Sequence, residues 1–257
     1  MTRATSRASL HDTPLLHFLG QQGFVLDTRE PVEVGQKLSD WLDFRHAIAL
    51  QGLLDQTELM NQAPAQAASI RINAQVLHER FDNVRHALER SITQGVPPAL
   101  GLARIETPAP ELLLPVDPKT AFEPFRRYLG AHQRQMDSVI AKLRAQLRSM
   151  LGKGDTQWQQ LGMLDAAMDA MLGDRQTRLL SRLNTHFEKR FNQLLKKHIK
   201  ASQEAHENDT EQPSTVTWLP ALCQAMQIAL LHELGIRLQP VQGLIDALTH
   251  NNKKPTP

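Results

Sequence analysis

From Phe122 to Met150 the core-type positions Phe122, Phe125, Leu129, His132, Met136, Val139, Leu143 and Met150 alternate in steps of three and four, and only Gln146 breaks the register. A strand repeats every two residues, so this period admits only a helix with one seam turned inward. A turn follows at Gly152-Lys-Gly-Asp155, whose glycines offer the positive-φ positions a chain reversal uses. From Thr156 to Ala201 a second helix is expected, carrying Leu161, Leu164, Met168, Met171, Leu172, Leu179, Leu183, Phe187, Leu194 and Ile199, with Gly173 marking a bend. Two such segments joined by a tight turn fold back on one another. The predicted fold is therefore all-α, an elongated helical bundle built around a long antiparallel hairpin of about 45 Å at 1.5 Å per residue.

The rest of the chain reads as helix as well. Thr13 as N-cap and Pro14 at the first helical position open a short helix with Leu15, Leu16 and Leu19, stopped between Gly20 and Gly23. Val34, Leu38, Trp41, Ile48 and Leu53 share a face over Pro31 to Met60. Ile70, Ala74, Leu77, Phe81, Val84, Leu88 and Ser91 do so over Ser69 to Ile92, and the two segments are expected to pair antiparallel. Pro97, Pro98, Pro108, Pro110, Pro115 and Pro118 then exclude a regular helix, and Leu112 to Leu114 are expected to dock as an extended strap. After a polar loop at Ser202 to Ser214, one helix is expected from Thr217 to Leu234, closed by Gly235. A second restarts at Pro240 with Val241, Leu244, Ile245 and Leu248. Three regions result: residues 1–94, a helical pair with a disordered start; 95–118, the proline-rich strap; and 119–257, the basic hairpin with two closing helices.

A net charge of +2 hides an uneven distribution. From Arg126 to Lys200, 15 Lys and Arg stand against 6 Asp and Glu; residues 1–125 hold 11 against 15, and residues 201–257 hold 3 against 6. A basic middle between acidic flanks draws an acidic partner or lets the flanks fold back. The lone Cys223 lies in an apolar run and reads as a small buried hydrophobe in a reducing compartment. No stretch approaches the roughly twenty apolar residues of a membrane span, and no secretory h-region follows Arg3 and Arg7, so a cytoplasmic protein with no membrane span is expected.

Several chemistries lack their residues. His78, Asp82 and His86 stack at spacings of four, a pattern that serves a solvated helix face more often than a metal, and Asp43 with His46 has no matching second half. His232-Glu233 lacks the second histidine of a zinc-protease helix, and Gly152-Lys153 lacks the spaced glycine and the hydroxyl of a phosphate loop. No nucleophile elbow or dinucleotide fingerprint occurs. No catalytic residue, metal ligand or cofactor is nominated, and a non-enzymatic role is expected.

One constellation stands out. Arg175, Arg178, Arg182, Lys189, Lys196 and Lys200 recur at three, four and seven, continued by His186 and Gln193, so they line one helix face with only Glu188 nearby. Such a face is either a solvated helix back or a binding surface. The candidate ligands are an acidic protein surface, which is preferred, anionic lipid and nucleic acid, the last weakened because few aromatic residues lie beside the row for bases to stack on. A homodimer would cover apolar surface left over by the hairpin.

The stretches Leu38-Ser-Asp-Trp-Leu-Asp43 with Ala47-Ile-Ala-Leu50, Phe125-Arg-Arg-Tyr-Leu129 with His132-Gln-Arg134, and Glu233-Leu-Gly-Ile-Arg-Leu-Gln-Pro-Val-Gln-Gly-Leu-Ile-Asp-Ala-Leu248 together resemble a proteobacterial family catalogued as domain of unknown function three-three-four-eight. The resemblance covers most of the chain and implies no activity or catalytic residue. It implies a context, a cytoplasmic companion of envelope proteins of the MotA and OmpA-like kind, and so a partner-binding role.

Overall fold

Asn73, Asp155 and Gly95 show how the sequence sets the helix ends. The Asn73 side-chain oxygen accepts from the backbone N–H of Gln75 at 3.0 Å, and that of Asp155 from Trp158 at 3.1 Å, so each N-terminus has a cap for its orphan donors. Gly95, at φ 67°, closes its helix in the left-handed conformation, its N–H bonded to the Ser91 carbonyl. The structure, a computed structural model, describes residues 13–23, 46, 48, 51, 52, 55, 73–99, 101–109, 117, 118, 120–207 and 217–251. Its helices are α1 (Pro14–Gln21), α2 (Ala74–Gln94), α3 (Glu123–Leu151), α4 (Thr156–Glu207) and α5 (Trp218–Asn251), with no strand among the described residues. The chain is all-α. The disordered start, most of Pro31 to Met60 and the Leu112–Leu114 strap lie outside the described residues.

Contacts divide the chain into two units, each assembled from separate stretches. One comprises Met1–Asp82, Ile140–Thr177 and Leu238–Pro257; the other comprises Asn83–Val139 and Arg178–Arg237. In the second unit four helices close a ring. Ser91 of α2 bonds to Gln135 of α3, Phe125 of α3 packs on Phe191 of α4, Phe191 meets Trp218 of α5 edge-on, and Gln227 of α5 returns to the Ile92 carbonyl of α2. Gln133 with Asn184 and Arg126 with Glu188 pair α3 and α4 antiparallel in this unit. In the first unit Arg144 with Asp165 does the same.

The seam of α3 departs from a strict heptad. Phe122, Phe125, Leu129, His132 and Met136 are buried as expected, but Ile140, Leu147 and Leu151 then carry the core with Leu143, while Val139 and Met150 are only half-buried. A heptad drifts about 20° per repeat on a straight helix, so after a few repeats the inward face moves on by one residue. Gln146 is thus no break: it is exposed.

The turn at 152–154 is present, but neither of its glycines has positive φ among the described residues. Gly162 lies against α3, where a Cβ would stand in van der Waals contact 3.4 Å from that of Leu151. Two further expectations are corrected. The Ser202–Ser214 loop is helical as far as Glu207, where Glu204 reaches back one turn to Lys200 at 3.5 Å; residues 208–216 lie outside the described ones.

The two closing helices are one, α5, which runs through Gly235 and Pro240. An interior proline costs about 3 kcal/mol. Leu238, Val241, Leu244, Ile245 and Leu248 are all buried around it, each contributing about 1.5–3 kcal/mol, and outweigh that cost. Fusion of the two stretches also makes α5 long and apolar enough, by length and composition, to cross a membrane between Trp218 and His250, contrary to the expectation that no segment is. The apolar side chains responsible also form the cores of the units, and Glu233 in mid-helix is fully buried.

Candidate functional site

The cationic row lies on α4, whose inward side is occupied by the core. At 100° per residue, Arg175, Arg178, Arg182, Lys189, Lys196 and Lys200 fan over about 60°, and the buried Leu180, Leu183, Phe187, Phe191 and Leu195 centre about 170° away. All six cations are exposed. Five belong to the second unit; Arg175 belongs to the first. Leu179, expected on the apolar face, is 42% exposed beside Arg178 and Arg182, and Leu180 fills the core position. Exposed Lys197 widens the row, and it falls off the three, four and seven spacing that leads from Lys189 and Lys196.

Glu188 does not neutralise this face, since it pairs with Arg126 of α3 at 2.5 Å. Among the described residues Arg182, Lys189 and Lys196 form no ion pair, while Lys200 pairs with Glu204. The field they create is felt by His186: burial lowers its pKa first, and Lys189 and Arg182 lower it further. The imidazole therefore stays neutral on a face already crowded with positive charge.

Two motif stretches that lie a hundred residues apart meet in a buried polar node of the same unit. The Gln133 amide of α3 donates to Glu233 of α5 at 3.0 Å and to the Leu180 carbonyl of α4 at 3.1 Å, and accepts from Asn184. Arg237 completes the node by binding Glu233 and Asp137. Burial pushes the Glu233 carboxyl up, opposed by Arg237 and Gln133. Gln133 and Arg237 join helices through it, so the node fixes their register. The i,i+4 spacing of Glu233 and Arg237 was the signal available for it.

His132 sits close by, its ring edge-on to Tyr128 at 4.6 Å, and neither of its nitrogens has a hydrogen-bond partner. Burial holds its pKa down at about 4. Cys223 is half-buried, its thiol pushed up to about 11 by burial, so it carries little thiolate.

In the first unit, Arg144 and Arg148 of α3 each bridge Asp165 and Asp169 of α4 at 2.6–2.7 Å. This cross-braced quartet borders a cavity of about 360 Å³ lined by Leu161, Leu164, Met168, Leu172, Pro240 and Leu244. The quartet's charges are spent on one another. His78 lies 3.8 Å from Asp82, both partly exposed, and no group of three potential metal ligands gathers among the described residues.

A family model described as Protein of unknown function (DUF3348) matches residues 1–250. No curated protein and no solved structure matches the chain.

Proposed function

The chain belongs to the DUF3348 family, whose description assigns no activity, and we propose that it is a non-enzymatic adaptor or assembly protein that binds an acidic protein partner through the cationic face of α4. The observation that carries this reading is the exposed row Arg182, Lys189 and Lys196, left without compensation by Glu188, on a helix whose opposite side is engaged in the core. A solvated helix back normally mixes both signs, because i,i+4 pairs of opposite charge stabilise it. Nucleic acid fits the row less well: Phe122, Phe125, Phe191 and Trp218 pack against one another and not beside the cations as stacking platforms. The three motif stretches favour a cytoplasmic setting beside an envelope system of the MotA/OmpA-like kind.

The test is a triple variant, Arg178→Gln with Arg182→Gln and Lys189→Gln. Helicity and melting temperature should be retained, since exposed charges contribute little to stability. Capture of a partner from nuclease-treated lysate should fail for the variant and succeed for the parent chain. Capture that disappears with nuclease would establish nucleic acid as the ligand, and equal capture by both proteins would return the face to solvent.

A further inference from the structure

The cations are spaced as well as exposed. Arg182, Lys189 and Lys196 recur every seventh residue, and Arg175 stands seven before them. Between them Leu179, His186, Gln193 and Lys200 recur every seventh residue as well, so the outward face of α4 carries its own alternating three–four seam, parallel to the buried one. Taking the basic face as a partner-binding surface, we propose that its partner is specifically an acidic α-helix, lying alongside α4 with a carboxylate at every seventh residue.

Three features point to a helix rather than to any acidic surface. The first is period: seven residues rise about 10.5 Å, so the three cations mark out a row about 21 Å long whose spacing another helix reproduces with one side chain per heptad. Same-face side chains on a strand repeat at about 6.6–6.8 Å and fall out of step with it. The second is drift. A strict heptad row turns about 20° per repeat around a straight helix, the left-handed course that a coiled-coil partner follows. The third is Leu179. A leucine 42% exposed within a cationic row offers an apolar contact that a partner helix covers with one residue of its own seam, whereas a phosphate backbone or a lipid headgroup layer gains nothing from it. The cationic positions thus supply charge selection and orientation, and Leu179 supplies burial.

The neighbouring groups agree with this arrangement. His186 occupies the seam between Arg182 and Lys189 and is held neutral, so it presents a ring without adding a charge. Glu188 is drawn off to Arg126. A carboxylate arriving from a partner therefore meets Arg182 and Lys189 without competition from within the unit.

The experiment uses the full chain and two synthetic helical peptides of identical composition, each four heptads long. One has Glu at every seventh residue with Leu three positions before it; the other has the same Glu residues moved to every fifth. At about 0.15 M salt the heptad peptide should bind at least about tenfold more tightly than its rearranged counterpart. Combined Arg182→Gln, Lys189→Gln and Lys196→Gln should remove that preference, and Leu179→Ala should weaken the heptad peptide alone, with circular dichroism unchanged. Equal binding of the two peptides that falls with the triple variant would overturn the helical partner and leave the acidic-partner reading standing. Absence of binding by both peptides would also overturn the helical partner. Displacement of both peptides by duplex DNA, with DNA binding lost in the triple variant, would overturn both readings.

Discussion

Glu233 and Arg237 stand one turn apart on α5, and the Arg237 guanidinium joins Glu233 at 2.6 Å to Asp137 on α3, with Arg237 and Glu233 both withdrawn from solvent. This pair, together with Gln133, fixes α5 in register against α3 in a core whose other contacts are mostly aliphatic and aromatic. Removing one partner strands the other. Glu233→Ala should destabilise the fold by about 3–5 kcal/mol, as breaking a buried pair does, whereas replacing the pair together by Glu233→Leu and Arg237→Met should cost much less. Chemical denaturation of the single and the double variant distinguishes the two.

Acid should weaken the protein before its carboxylates are protonated. His132 is buried neutral with its pKa down at about 4, so the unfolded chain, where it titrates near 6.5, takes up a proton that the folded chain refuses. Its contribution is complete above about pH 6.5 and declines as pH falls towards 4, at up to about 1.4 kcal/mol per unit. The folded environment offers the ring only the edge of Tyr128. Unfolding free energies at pH 7 and pH 5 should differ in the parent chain and differ much less in His132→Phe, with His186 supplying the remainder.

Burial divides leucines that the sequence treats alike. Leu143→Asp and Leu183→Asp place an unpaired carboxylate at positions 5% exposed and should each destabilise by several kcal/mol. Leu164→Asp and Leu179→Asp, at positions 47% and 42% exposed, should shift the melting temperature little. Thermal melts of the Leu164, Leu179 and Leu183 variants test the register of α4 directly, and that of Leu143→Asp tests α3.

The quartet of the first unit should show strong coupling. Arg144→Ala leaves the buried Asp165 with Arg148 as its one remaining arginine of the quartet, and Arg148 already engages both aspartates. A double-mutant cycle of Arg144→Ala with Asp165→Ala should return a coupling energy of about 0.5–3 kcal/mol. A value near zero would show the bridges to be independent.

Helix positions were largely legible where their causes are local: Pro14 at the first helical position and the turn before Asp155 act within a turn of themselves, whereas Thr13 makes no side-chain cap bond and the ends set by Asn73 and Gly95 were not read. The cationic row was legible for the same reason, since period alone places it. What eluded local reading was tertiary. Pro240 resembles a helix start until burial on both its sides is counted, and Leu179 and Leu180 exchange roles through a rotation that no spacing rule resolves within one residue. The node at Glu233 was hidden because its partners Gln133 and Asp137 lie about a hundred positions earlier in the chain.

Both units draw on α5: the second takes it up to Arg237, the first from Leu238 onward. During synthesis, therefore, neither core can be completed while α5 is still inside the ribosome, although most of the helices have already emerged. Until that helix emerges the apolar seams of α3 and α4 lack part of their cover, an interval in which exposed apolar surface favours aggregation.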